Sequence, residues 1–152
     1  MSRKPQTSHM ELALDEARRA AARGEVPVGA VIVAADGQVL AAAANRTREL
    51  SDPTAHAEML AIREACRKVG AERLVGCDLW VTLEPCPMCA AAISFARIRR
   101  LYFGASDPKS GGVEHGPRVF DHPTCHHAPE VYGGFGATDA AELLSRFFHE
   151  RR

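Results

Sequence analysis

The sequence has no excess charge of either sign: Lys and Arg together number 19, Asp and Glu number 19, and the formal net charge at neutral pH is zero. A global positive field that would gather nucleic acid is therefore excluded, and any contact with a polyanion has to be local. Also missing is any apolar run near the roughly 20 residues that span a bilayer. The opening, MSRKPQTSHMELAL, has neither the apolar stretch nor the small-residue cleavage site of a secretion signal. These absences predict a soluble, cytoplasmic protein with no membrane partner. A disulfide framework is a poor explanation for five cysteines, an odd number, in a reducing compartment, so metal or catalytic use is the better one. No internal repeat and no dividing linker is visible. What is present is 152 residues, 46% apolar and 25% charged, enough to bury one core. Residues 1–152 are expected to form a single domain, with 1–7 a flexible N-terminal tail.

Hydrophobic periodicity gives the coarse layout. From residue 8 to about 23, Met10, Leu12, Ala13, Ala17 and Ala20 lie on or near one stripe and Gly24 marks a stop, which predicts an amphipathic covering helix. Residues 27–34 and 38–45 read as strands joined through Ala35-Asp36-Gly37, an Asp-Gly hairpin turn. Pro53 and Thr54 are expected to open a helix that Met59, Leu60, Ile62 and Ala65 carry to Gly70. Residues 78–83 (DLWVTL) have the β-branched, apolar character of a central strand. Pro87 suits the first position of a helix over residues 86 to about 96, and residues 99–104 read as a further strand. Residues 105 to about 129 are rich in Gly, Pro, Asp and His and read as a rim of the site. A helix from 137 onward carries Leu143, Leu144, Phe147 and Phe148 at helical spacing. Helices alternating with strands predict an α/β layered sheet, made mixed by the initial hairpin.

The strongest chemical signal is His56-Ala57-Glu58 followed by Pro85-Cys86-Pro87-Met88-Cys89. His56, Cys86 and Cys89 supply three zinc ligands, and three protein ligands leave a fourth position for water, the open arrangement of hydrolytic zinc. Residues two apart point to nearly opposite sides of a helix, so His56 and Glu58 can serve one site only if the end of the helix aims at it. Cys86 and Cys89, three apart at another helix start, share a face where the positive dipole end favours thiolates. Glu58 is then the acid/base, taking a proton from water for a ring nitrogen and later protonating the departing amine with the proton of the added hydroxyl. A bare C-x-x-C is also found in redox pairs and structural zinc knuckles, but the first would leave His56 and Glu58 without work and the second wants a fourth ligand. Cys125, His122, His126 and His127 offer such a ligand, or a second metal site, or simply a solvated loop. Cys66 and Cys77 are expected to be inert.

With these residues in hand, the chain resembles the bacterial tRNA-specific adenosine deaminases of the cytidine/deoxycytidylate deaminase superfamily, over almost its whole length. The likeness rests on residues 25–31 (EVPVGAV), Asn45-Arg46, residues 52–58 (DPTAHAE), 81–90 (VTLEPCPMCA), 97–100 (RIRR), 103–109 (FGASDPK) and 147–152 (FFHERR). It implies a three-layer α/β/α cytidine deaminase-like fold with a five-stranded mixed sheet, one Zn²⁺ per subunit, a homodimer, and the anticodon loop of tRNA as partner. It further implies that Asn45 hydrogen-bonds the flipped-out base and Asp107 meets a neighbouring sugar. The alternative residue readings are a strand-end turn former for Asn45 and a loop cap for Asp107. Lys109, Arg151, Arg152 and the 122–127 loop are candidates to touch RNA through phosphate contacts and stacking. Between Ala105 and Asp107 this chain has the uncharged Ser106, so the resemblance does not carry a basic phosphate contact to that position.

Two rival readings remain. A deaminase of a free base such as guanine or cytosine would share motif and sheet, fit the zero net charge, and leave the C-terminal arginines idle. A non-catalytic zinc module would be indifferent to Glu58.

Overall fold

The computed structural model describes residues 8–151. The expected tail, residues 1–7, and Arg152 lie outside them. The elements run α1 (His9–Ala22), β1 (Gly29–Val33), β2 (Val39–Ala44), α2 (Ala57–Val69), β3 (Asp78–Leu83), α3 (Pro87–Phe95), β4 (Arg100–Ala105), a 3₁₀ turn (Val119–Asp121), β5 (Glu130–Tyr132) and α4 (Ala137–Glu150). One five-stranded sheet has the order β2-β1-β3-β4-β5. β1 pairs antiparallel with β2 and with β3, while β3–β4 and β4–β5 are parallel.

Period-two alternation makes β1 a two-faced strand, buried at every position. Ala30 and Ile32 join Leu79, Val81, Leu101 and Phe103 in a core with Ala57, Ala61 and Ala65 of α2 and Ala90 and Ile93 of α3. Val31 and Val33 point the other way, into a core with Met10, Ala13 and Leu14 of α1 and Ala140 of α4. The result is the three-layer α/β/α arrangement, helices α2 and α3 on one face and α1 and α4 on the other.

This topology decides where chemistry can sit. β2, β3 and β4 all run the same way, because β1 is antiparallel to both β2 and β3 and β4 is parallel to β3. Their carboxyl ends therefore share one end of the sheet, the position where α/β folds bind ligands. The residues leaving those ends are Asn45 after β2, Glu84 and Cys86 after β3, and Asp107 after β4.

Most boundaries fall within a residue or two of the sequence reading, and two elements depart further from it. Helix α2 begins at Ala57, not at Pro53. Asp52 Oδ1 accepts from the Thr54 N–H at 2.8 Å and the Thr54 hydroxyl at 2.7 Å, an Asx turn that keeps the intervening residues out of the helix. Strand β5, three residues long, was not marked by periodicity and exists through its pairing with Arg100, Leu101 and Tyr102.

Candidate active site

Two helix N-termini converge at the carboxyl end of the sheet. His56 is the N-cap of α2 and Cys86 the N-cap of α3, both with extended backbone and neither using its side chain as a cap. The cap position releases both side chains from the helix surface and turns them toward the site. It also resolves the spacing problem of His56 and Glu58: one stands just outside the helix, the other in its first turn.

The three expected ligand atoms come together. Cys86 Sγ lies 3.6 Å and Cys89 Sγ 3.5 Å from His56 Nδ1. The three residues form the one group of metal-competent donors among the described residues, their atoms all within 4.8 Å of one another. A tetrahedral zinc with Zn–S of about 2.3 Å and Zn–N of about 2.0 Å has N···S edges of about 3.5 Å. The donor set and its spacing thus fit that ion with one vertex left over. Without a metal, Cys86 is held down to about 4 by the Cys89 thiol first, against the cost of its burial, and then by His56. The same contact with Cys86, together with burial, pushes the Cys89 thiol up, and the Cys86 thiolate raises His56.

Glu58 is 4% exposed, and no Lys or Arg among the described residues pairs with it. Burial pushes its carboxyl up to about 7, with the nearby Cys86 adding to the rise and its own backbone N–H, His56 and Cys89 opposing it. A carboxyl poised there can both accept and release a proton near neutral pH.

Asn45 is buried, and its Oδ1 accepts from the Ala57 N–H at 2.7 Å. It therefore caps α2 from the end of β2, leaving its amide NH₂ as the group that can meet a substrate. Asp107 is half-buried and caps its own loop, Oδ1 accepting from the Ser110 N–H at 3.0 Å. Lys109 is exposed on that loop. Arg151 lies 3.7 Å over the Phe147 ring and donates to the Phe147 carbonyl at 3.4 Å, and a Cβ on Gly24, whose carbonyl accepts from Arg48, would stand 3.8 Å from its guanidinium. Arg151 and Arg48 thus both lie beside the Gly24 turn.

The His-rich loop is stitched down through its own side chains. His127 Nε2 is 2.7 Å from the Ile98 carbonyl, His122 Nε2 bonds to the Pro117 carbonyl, and Cys125 Sγ contacts the Ser94 hydroxyl and the His127 carbonyl. Burial raises the thiols of Cys66 and Cys77. Glu84 and His115, 2.7 Å apart beneath the 107–115 loop, were not singled out from the sequence. The one signal was a carboxylate directly after a buried strand and two residues before a ligand.

Residues 3–105 match the family model of the cytidine and deoxycytidylate deaminase zinc-binding region. The tRNA-specific adenosine deaminase of Agrobacterium fabrum (strain C58) is 64% identical over 146 residues, covering 96% of this chain and 95% of that protein. The tRNA-specific adenosine deaminase of Aquifex aeolicus is 48% identical over 143 residues, 94% of this chain and 93% of that one. A chain solved in structural studies of A-to-I editing by tRNA:A34 deaminases at the wobble position superposes with a TM-score of 0.89 at 65% identity, covering 91% of this chain and 100% of that chain. Donor set, sheet and near full-length identity agree, and the chain belongs to the cytidine and deoxycytidylate deaminase family, among its tRNA-specific adenosine deaminases.

Proposed function

We propose that the protein, as a single deaminase domain working in the cytoplasm, hydrolyses adenosine to inosine and ammonia at the wobble position of a tRNA anticodon. The observation that carries this is the convergence of His56 Nδ1 with the sulfurs of Cys86 and Cys89 at zinc-ligand spacing, beside the buried carboxyl of Glu58. His56, Cys86 and Cys89 are the residues that would hold Zn²⁺. Bound there, zinc supplies the Lewis acidity that makes water a nucleophile near neutral pH.

The chain's own groups do the rest. Glu58 takes a proton from water as its oxygen adds to C6 of the adenine ring, and delivers it to the adjacent ring nitrogen. As the C6–N bond breaks, Glu58 takes the proton of the new C6 hydroxyl, leaving the carbonyl, and gives that proton to the departing amine, so that water and adenosine give inosine and ammonia. Asn45, its oxygen occupied by α2, offers its NH₂ to the flipped-out base. In this reading Asp107 and Lys109, on the loop leaving β4, meet a neighbouring nucleotide, and Arg151 and Arg152 are assigned the phosphate contacts. Capture of a flipped base at a helix-lined end with local cations suits a single-stranded loop. It also suits a chain with no net charge.

A homodimer is part of this reading. It is supported by Phe95 on α3, 76% exposed beside a groove of about 230 Å³ lined by Ser94, Arg97, Val119 and Cys125, a surface that a second copy would cover.

The test is to incubate zinc-loaded protein with an anticodon stem-loop carrying adenosine at the wobble position and, separately, with free guanine, cytosine and adenosine. Inosine in the stem-loop alone is expected. Ammonia from the free bases alone would assign the domain to free-base deamination.

A further inference from the structure

The 107–115 loop is wrapped around one carboxylate. Glu84 is 2% exposed and, among the described residues, its ion-pair partner is His115 and not a Lys or Arg. The Asp107 N–H donates to its Oε1 at 3.0 Å, where His115 Nδ1 also lies at 2.7 Å. The N–H groups of Val113, Glu114 and His115 donate to its Oε2 at 3.2, 3.0 and 3.1 Å. A buried carboxylate is tolerated only when its lone pairs are filled, and here the filling is done by four backbone amides of a single loop and one imidazole from it.

The loop gains its position through the same contacts. A Cβ on Gly111 would stand 2.4 Å from Glu84 Oε2 and 2.5 Å from the Asp107 carbonyl oxygen. A Cβ on Gly112 would stand 2.6 Å from Pro87 N, and the Gly112 N–H donates to the Pro85 carbonyl at 2.8 Å. Only bare backbone can approach this closely. Glu84 thus fixes where the loop lies on the Cys86–Pro87 start of α3, and its first bond is to the backbone of Asp107 itself.

We infer that Glu84 is a positioning residue for substrate, which holds Asp107 and the 107–115 loop in register with the metal helix and so sets how tightly the RNA strand is gripped. The inference rests on the proposed role of Asp107 in meeting the substrate. Glu84 touches neither substrate nor metal, and acts through the amides it gathers. Gln in its place keeps the volume but turns one acceptor into an NH₂ that faces N–H donors, so the clamp opens while the fold around it stays filled.

The experiment is steady-state kinetics on the wobble-adenosine stem-loop for E84Q, D107A and the double variant, with zinc content measured on each. E84Q is expected to keep its zinc and to raise KM about tenfold or more, with a smaller change in kcat. In the D107A background the same change should move KM by less than about twofold, since the residue being positioned is gone. An equal KM penalty in both backgrounds, an unchanged KM in E84Q, loss of zinc from E84Q, or a wild-type KM in D107A would overturn the inference. If E84Q does not fold, G111A pushes the loop off the carboxylate without altering it and must give the same pattern. Amide exchange on the zinc-loaded wild type needs no substrate and separates this inference from the substrate assignment. The N–H groups of Asp107, Val113, Glu114 and His115, outside any helix or strand, should be protected about a hundredfold or more. Free exchange there would refute the clamp even if wobble deamination is confirmed.

Discussion

Asn45 holds two jobs on one side chain, and two substitutions pull them apart. Its Oδ1 accepts from the Ala57 N–H at 2.7 Å, in a position 8% exposed, and so secures the start of the helix that carries His56 and Glu58. In N45A that buried N–H loses its partner, which costs about 1–2 kcal/mol. For a chain of 152 residues this is a drop in Tm of about 2–8 °C. In N45D an acceptor oxygen remains, and a negative group at a helix N-terminus offsets part of the cost of burying charge, so stability should stay within about 1 kcal/mol of wild type. What N45D loses is the NH₂ donor, and with it a contact to the base, so kcat/KM should fall about 10²–10³-fold. Thermal melts and single-substrate kinetics on the stem-loop read the two effects separately. N45A melting with the wild type would refute the capping argument, and N45D turning over at the wild-type rate would refute the base contact.

Further predictions concern charge and thiols. Asp52 is held below its ordinary value of 3.8 by the Thr54 hydroxyl first and then the Thr54 N–H. Its contribution is therefore complete well above 3.8 and lost as the pH falls through the lower folded value, so the stability gap between wild type and D52N should be constant near neutrality and narrow in acid. Acid melts showing no convergence would contradict this. In protein stripped of metal with a chelator, Cys86, held down to about 4, should alkylate with iodoacetamide at pH 6–7 well before Cys66 and Cys77, whose thiols burial raises. Mass mapping of the first modified cysteine decides it. R151A should weaken stem-loop binding and reduce the slope of log Kd against log salt by about 0.7, the value for one lost contact to a single strand. An unchanged slope would leave Arg151 as no more than a partner for the Phe147 ring.

Much of the fold was legible because local chemistry and tertiary context agree there. The Asp-Gly turn is formed as expected, with Gly37 at φ 90° and the Ala34 N–H donating to the Gln38 carbonyl at 2.8 Å. DLWVTL is β3 at the expected bounds, since a strand buried on both faces reads as an unbroken apolar run. The start of α2 was hidden because its cap comes from Asn45, twelve residues back just past the end of β2, while the nearby Asp52 is used on Thr54. β5 was hidden because three residues carry no period and are held by their partner strand. The ligand residues are plain in the sequence, since chemistry constrains residue type and spacing together. The loop that flanks them is not, because what shapes it is a set of backbone amides converging on Glu84, and backbone groups leave no mark on the residue string.

The whole account stands on a metal held by three side chains with a separate carboxylate moving protons. Its most direct test is inosine formation by E58Q, with zinc counted on the same preparation. The expected result is about one zinc per chain, as in wild type, with turnover reduced at least 10²-fold, the scale of a lost acid/base. Inosine at a near wild-type rate, or zinc lost with the carboxylate, would contradict the assignment of Glu58 as proton carrier rather than ligand.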